Sequence, residues 1–295
     1  MPKPKVTKAV LTDAGYATRF FPITKTLPKS MLPLLNKPIT HYIVEECMAA
    51  GIKEIIMVAT EEGQPIYEDY FHNTVQHIYK ILRKQKRQDR FRKISDVFSL
   101  PNVVVIAQDK GMPYGNGTPA LCAKPYLSNE PFIYAYTDDF VLGKSSCKEL
   151  VDEYHNSPDD VAGIIAVKDS PGIDVTRYGM VKLKKGTEDV LDYIIEKPSK
   201  SKSPSNLVSF GRYLLTPKIF EYLSTDKEDL GKDNELWTVD AIHRMAKKNK
   251  VLVKRINGEW KTTGDPVNYL QTAIDFALND PDFNGNFKKF LRSRL

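Results

Sequence analysis

Residues 8–33 read Lys8-Ala-Val-Leu-Thr-Asp13-Ala-Gly-Tyr-Ala-Thr18-Arg19-Phe-Phe-Pro-Ile-Thr-Lys-Thr-Leu-Pro-Lys29-Ser-Met-Leu-Pro33. The run opens as a short apolar strand, 8–13, breaks into the small residues around Ala14 and Gly15, and then delivers Thr18 and Arg19. A proline-rich loop follows and delivers Lys29. A buried strand that ends in a small-residue turn lets backbone approach a phosphate chain closely. An arginine and a lysine on the next loop can neutralise that chain. On spacing alone, the same run also reads as a strand followed by a basic surface loop.

Outward from this stretch, strands and helices alternate, which is the pattern of a mainly parallel sheet with helices on both faces. Apolar strands are predicted at 55–59, 103–107 and 132–137, and helices at 38–50, 66–70 and 118–126, with a longer basic helix before the third strand. Asp13, Gln108 and Asp138 fall at or just past predicted strand ends, where open α/β sheets bind ligands. The second half is less regular. It reads as strands at 161–167, 207–215 and 251–256, a hairpin of 178–184 with 190–196, and helices at 217–223, 236–246 and 265–278. Residues 279–295 read as a terminal helix packed on the body or on another subunit. The expected architecture is an α/β, doubly wound, mostly parallel Rossmann-like sheet flanked by helices, with a smaller sugar-binding β lobe. It forms one domain over 1–295: a nucleotide half to about 145, a sugar-phosphate half to about 265, then C-terminal helices.

The 295 residues include 41% hydrophobic and 27% charged, enough for a sizeable core and unlike a disordered chain. No apolar run is long enough to span a bilayer, and Met1-Pro-Lys-Pro-Lys5 has no apolar leader, so neither a membrane segment nor a signal peptide is expected. Cys47, Cys122 and Cys147 lack metal-ligand spacing and read as reduced thiols of a cytoplasmic protein. The net charge of +6 suits an anionic substrate. Much of the excess lies in 80–93, Lys-Ile-Leu-Arg-Lys-Gln-Lys-Arg-Gln-Asp-Arg-Phe-Arg-Lys. That run reads as a solvated helix face. Nucleic-acid binding is not expected from it, because no aromatic stacking platform accompanies it.

Gly15-x-Ala17-Thr18-Arg19 with Pro28-Lys29 resembles the Gly-x-Gly-Thr-Arg and Pro-Lys signature of sugar-1-phosphate nucleotidyltransferases. Further segments are similar to that family in the same order: Cys122-Ala-Lys-Pro, Asn129-Glu-Pro-Phe, Tyr178-Gly-Met-Val, Ile195-Glu-Lys-Pro, Phe210-Gly-Arg-Tyr-Leu-Leu-Thr-Pro and Val239-Asp-Ala-Ile. The chain most resembles the UTP–glucose-1-phosphate uridylyltransferase branch. The resemblance implies attack by the phosphate oxygen of a sugar 1-phosphate on the α-phosphorus of UTP, with pyrophosphate leaving and Mg2+ assisting. The nucleophile is already an anion, so fixed cations and positioning are needed rather than a general base.

The resemblance also implies roles. Arg19 and Lys29 would hold the triphosphate, Arg19 bracing the departing pyrophosphate. Ala14 and Gly15 would offer backbone groups to base and ribose. Gln108 would pair with the N3–O4 edge of uracil or thymine, since its amide carries donor and acceptor side by side. Gly115, in the turn Gly115-Asn-Gly-Thr118, would let the base lie close on backbone. Asp138 would bind the metal. Gly179 and Glu196 would hold sugar hydroxyls, Lys197 the sugar phosphate, and Gly211 would lie against the sugar where a side chain would collide with it. A homo-oligomer, dimer or tetramer, is expected by analogy with relatives.

The chain departs from the family pattern at several points. Asp13 stands for Ala, Ala17 for the second Gly and Ser30 for Glu. Thr262 takes the place of a second metal-binding Asp, and two extra residues precede the turn at Gly115. Asp13 is a possible replacement carboxylate for the metal. Two rival readings follow: a catalytically silent regulator that binds a nucleotide or nucleotide-sugar, and a thymidylyltransferase that uses dTTP.

Overall fold

The computed structural model describes residues 3–231 and 234–294. The first half contains β1 (Lys8–Asp13), β2 (Pro33–Leu34), β3 (Lys37–Pro38), α1 (Ile39–Ala49), β4 (Glu54–Ala59), α2 (Gln64–His72), α3 (Gln76–Lys84), α4 (Gln88–Ser95), β5 (Asn102–Ala107), α5 (Thr118–Ala123), β6 (Phe132–Tyr136) and β7 (Asp139–Leu142). The second contains α6 (Ser146–Asn156), β8 (Val161–Asp169), β9 (Gly179–Leu183), β10 (Leu191–Glu196), β11 (Leu207–Leu215), α7 (Thr238–Ala246), β12 (Lys250–Arg255), β13 (Glu259–Thr262), α8 (Pro266–Asn279) and α9 (Asn284–Arg292).

β1 lies inside the sheet, between β4 and β6, and is parallel to both. Its residues alternate between faces, as strand geometry requires. Ala9 and Leu11 join the core formed with Ile43, Val44 and Cys47 of α1 and Cys147 and Leu150 of α6. Val10 joins the opposite core with Ala120 and Ala123 of α5 and Ile242 of α7. The sheet runs β10-β9-β11-β6-β1-β4-β5, with β8 paired to β11 and β12 to β8, nine strands in all. β11 is antiparallel to β6, β8 and β9, so the sheet is mixed but mainly parallel in its nucleotide half. The expected doubly wound architecture is therefore present.

Three local expectations change. The basic run is not one helix: α3 ends, Lys86 adopts a left-handed conformation (φ 55°), and α4 starts again at Gln88. The 217–223 helix is a 3-10 turn over Pro217–Glu221. Residues 139–160 carry elements that the reading passed over. α6 has Cys147, Leu150, Val151 and Tyr154 at helical spacing, and its cap Ser145 accepts the Lys148 N–H at 3.0 Å. β7 pairs antiparallel with β13, Asp139 opposite Thr262.

The segment between β6 and β7 is held by Arg212 of β11, which is wholly buried. Its guanidinium donates to the Tyr136 carbonyl, and to the Asp139 carbonyl at 2.5 Å. These carbonyls bracket Asp138 on either side. The same guanidinium meets Glu46 Oε2 of α1 at 3.3 Å, and Glu46 Oε1 accepts the Ser146 hydroxyl and the Cys147 N–H of α6. Removing one partner of a buried ion pair strands the other without compensation. Arg212→Met should therefore lower the unfolding free energy by about 3–5 kcal/mol in urea titrations; a loss below about 1 kcal/mol would show that the clamp is dispensable.

Candidate active site

The carboxyl ends of β1, β5 and β6 open into a cavity of about 230 Å³ lined by Asp13, Ala14, Gly15, Lys29, Gln108, Gly115, Asp138 and Lys197. A second cavity of about 200 Å³ adjoins it and is lined by Arg19, Arg177, Tyr178, Gly179, Glu196, Lys197, Gly211 and Thr262. Asp138 and Lys197 line both, together with Asn116 and Tyr136. Every candidate site residue, with Asp13 and Thr262, thus lines one of two adjoining cavities, whereas Ser30 lines neither. Asn116, Tyr136 and Arg177 were missed. Only the adjacency of Arg177 to Tyr178-Gly179 and of Asn116 to the glycine turn could have signalled two of them.

Lys29 Nζ lies 2.6 Å from Asp138 Oδ2. Burial disfavours the charge on each, but the partner outweighs it: the Lys29 ammonium is held above its usual value and the Asp138 carboxyl below its own. The neighbouring Asp139 turns away and accepts from Trp260 Nε1 at 2.9 Å, and burial followed by the Asp138 charge raises its carboxyl well above the ordinary range. Thr262 sits where the family's second acid would stand, but its hydroxyl donates to the Asp138 carbonyl at 3.3 Å.

Asp13 and Ser30, both departures from the family pattern, bond to each other. Asp13 Oδ2 accepts the Ser30 N–H at 3.0 Å and the Tyr67 hydroxyl at 2.5 Å. The Ser30 hydroxyl is 2.5 Å from Thr137 Oγ1, which donates to the Thr12 carbonyl at 3.1 Å. This chain pins the turn that carries Lys29 to the ends of β1 and β6.

Gln108 projects from the end of β5 with its amide oxygen Oε1 buried and without a hydrogen-bond partner. It also lines a third cavity of about 210 Å³ with Tyr16, Met112, Lys110 and Tyr114. The Tyr16 and Tyr114 rings stack with centroids 5.6 Å apart, which places the longer loop before Gly115 at this mouth. Gly115 lines the first cavity and is also required by the fold itself. At φ 135°, an added Cβ would come within 2.3 Å of the Leu236 carbonyl oxygen, so the protein's own backbone requires the glycine. At Gly211, which lines the second cavity, the fold also requires glycine: at φ 73° its Cβ would strike the Tyr136 ring at 2.2 Å. Gly179 faces Glu196, whose Oε2 would be 3.2 Å from an added Cβ.

In the second cavity the Glu196 side chain is 9% exposed. Burial raises its carboxyl to about 7, against the pull of Lys197. Lys197 Nζ is 3.7 Å from Glu196 Oε1 and 5.5 Å above the Trp237 ring. Arg19 is exposed and donates to the Gly264 carbonyl at 3.3 Å, while Arg177 pairs with Asp265, the cap of α8. Two arginines from opposite sides therefore brace the turn that follows Thr262. Two adjoining cavities that share a carboxylate and a cation, at the carboxyl ends of a parallel sheet, suit joining two phosphate-bearing substrates.

The chain belongs to the nucleotidyl transferase family, which it matches over residues 8–278. It is 36% identical to the UTP–glucose-1-phosphate uridylyltransferase of Staphylococcus epidermidis over 293 residues, 98% of each chain. Among solved structures it resembles a UDP-glucose pyrophosphorylase complexed with UDP-glucose (30% identity, TM-score 0.80, 92% of this chain and 98% of that one). It also resembles a UTP-bound UGPase from Acinetobacter baumannii (28% identity, TM-score 0.84, 97% and 98%).

Ala17 occupies the position of the family's second glycine with φ 47° and ψ 45°, and its carbonyl accepts from Phe20 N and Thr24 Oγ1, each at 2.9 Å. A left-handed alanine costs about 1–2 kcal/mol, offset in part by the extra unfolded-state freedom of glycine. Ala17→Gly should stabilise the fold by about 0.5–1 kcal/mol in urea titrations. Destabilisation would show that the methyl group packs favourably.

Proposed function

We propose that this chain transfers the uridylyl group of UTP to glucose 1-phosphate, giving UDP-glucose and pyrophosphate. The observation that carries the reading is the wall shared by the two cavities, since Asp138 and Lys197 belong to both. A nucleotide in the first and a sugar phosphate in the second meet there. A sugar-phosphate oxygen attacks the α-phosphorus, the bond from that phosphorus to the β-phosphate bridging oxygen breaks, and pyrophosphate leaves with the electron pair. No proton need move in this step.

The base faces Gln108, whose free Oε1 accepts the N3–H of uracil; cytosine offers an acceptor at that position and is disfavoured. Ala14 and Gly15 border the nucleotide. Lys29 leaves Asp138 for the phosphates, and Arg19 stands beside the departing pyrophosphate. Lys197 takes the sugar phosphate. Glu196 accepts sugar hydroxyls beside Gly179 and Gly211.

Members of this family generally use a divalent metal. Among the described residues, no three His, Cys, Asp or Glu side chains come together to hold one. A single carboxylate at the shared wall fits Mg2+, which binds through one or two carboxylates and substrate phosphates. Asp138 would hold it, and when bound it supplies charge neutralisation at the triphosphate. Asp13, already bonded to Ser30 and Tyr67, adds negative charge to the same cavity and fixes the Lys29 turn.

The first test is pyrophosphate release from a panel of nucleoside triphosphates with glucose 1-phosphate and Mg2+. UTP should exceed dTTP and CTP, and Asp138→Ala should reduce release by at least about a hundredfold. Highest release with dTTP would make the chain a thymidylyltransferase. No release despite UTP binding would make it a silent relative.

Ionised, Glu196 accepts sugar hydroxyls on both oxygens, while protonation turns one oxygen into a donor and removes the charge, and its carboxyl stands at about 7. Lowering the pH through that value protonates it. KM for glucose 1-phosphate should therefore rise about tenfold between about pH 8 and pH 6, beyond any change shared with Glu196→Gln. Parallel profiles for the two proteins would remove Glu196 from sugar binding.

A further inference from the structure

The helical hairpin of α3 and α4 takes no part in the cavities, yet it carries all of the chain's excess positive charge. α3 bears Lys80, Arg83 and Lys84, the turn bears Lys86 and Arg87, and α4 bears Arg90, Arg92 and Lys93. Asp89 is the single acid within 76–95. Taking these eight of the 43 lysines and arginines and this one of the 37 acids away leaves 35 cations and 36 acids. The rest of the protein is thus formally −1, and the hairpin holds +7. Lys93 aside, these cations, seven in all, are exposed. Some exposed lysines elsewhere form ion pairs, as Lys110 does with Glu61 and Glu62 and Lys148 with Asp152, and others such as Lys53 and Lys185 form none among the described residues, so the density of cations is what sets the hairpin apart. Among the described residues none of the seven has an ion-pair partner.

The hairpin's position keeps it clear of catalysis. It links the end of α2 to the start of β5, the edge strand of the sheet. His72 Nε2 lies 2.8 Å from the Val103 carbonyl, which fixes that junction at the amino end of β5. The cavities open at the carboxyl ends, so whatever meets the hairpin leaves them facing away.

What the hairpin shows to solvent selects the partner. Its aromatic rings Tyr79 and Phe91 are spent on each other, edge to face at 4.8 Å, and give unpaired bases no platform. α3 buries no side chain. Instead it exposes the aliphatic Ile81, 52% accessible, in line with Lys84 and next to Lys80. An aliphatic side chain among basic ones has no hydrogen bond or stack to offer a nucleotide, but it can enter the acyl boundary of a bilayer while the cations meet headgroup phosphates.

We propose that the α3–α4 hairpin docks the protein reversibly on an anionic phospholipid surface. The inference is independent of the uridylyl reading. Its test is co-sedimentation of the full chain with vesicles of phosphatidylglycerol and phosphatidylcholine in equal parts, against phosphatidylcholine alone. Binding is expected only to the anionic vesicles and is lost when salt is raised from about 50 to about 500 mM, where screening falls within a few ångströms. The triple variant K80E/R83E/K84E should bind at least about tenfold more weakly, and Ile81→Ser should weaken binding about threefold at fixed salt. Both should keep wild-type pyrophosphate release and wild-type melting temperature. Equal sedimentation with neutral vesicles, absence of binding at low salt, or unchanged binding by the triple variant would overturn the proposal. So would binding of a single-stranded RNA in preference to the vesicles.

Discussion

A guanidinium buried beneath the wall shared by the two cavities governs the geometry above it. Arg212 is wholly buried, and the cost of burying its charge is offset by carbonyls from the β6–β7 segment and by the Glu46 carboxylate. That arrangement ties β11, α1 and α6 to two backbone oxygens flanking Asp138. An arginine suits the place because its planar fork reaches several acceptors at fixed angles, which a lysine cannot do. The backbone that carries Asp138 is therefore fixed from outside both cavities, and Lys29 holds its carboxylate from within the first. Thr263 adds to this from the other side, its N–H reaching the Asp138 carbonyl at 2.7 Å.

Above this base the cleft is balanced by pairs rather than by a surplus of cations. Lys29 faces Asp138, Lys197 faces Glu196 and Arg177 faces Asp265. Asp13 alone looks out of place in a phosphate cavity. Its carboxylate is spoken for by Ser30 and Tyr67, so its charge is held at the rear of the Lys29 turn. The exchanges at 13 and 30 are thus one change in two places, a carboxylate on the strand bonded to a small residue on the loop. Thr262 completes the pattern, a hydroxyl where the family carries a second acid, engaged with backbone.

Much of this was legible in the chain. The apolar run Ala9-Val10-Leu11 and the small residues after Asp13 gave β1 its bounds, and the strand ends at Asp13, Gln108 and Asp138 gave the cleft its rim. Less legible were features whose cause lies far away in sequence. Gly115 and Gly211 look like ligand-approach glycines, and Leu236 and Tyr136 also forbid their side chains. β7 and β13 are four residues each and are stabilised mainly by one another across more than a hundred residues, so neither announces itself. The basic run was read as continuous because charge patterning is blind to the single left-handed residue, Lys86, that divides it. α6 was readable from its Ser145 cap and apolar spacing, and was passed over beside the acids at 138 and 139.

The 2.6 Å contact between Lys29 and Asp138 has a consequence for how the cleft fills. At rest an ammonium tethered to the loop already neutralises the Asp138 carboxylate. On the proposed function, a free divalent cation would have to compete with an ammonium that cannot diffuse away, and a triphosphate would relieve that competition by offering Lys29 another anion. The second cavity has the same carboxylate in its wall, so on that reading filling the first cavity would change the charge presented to the second.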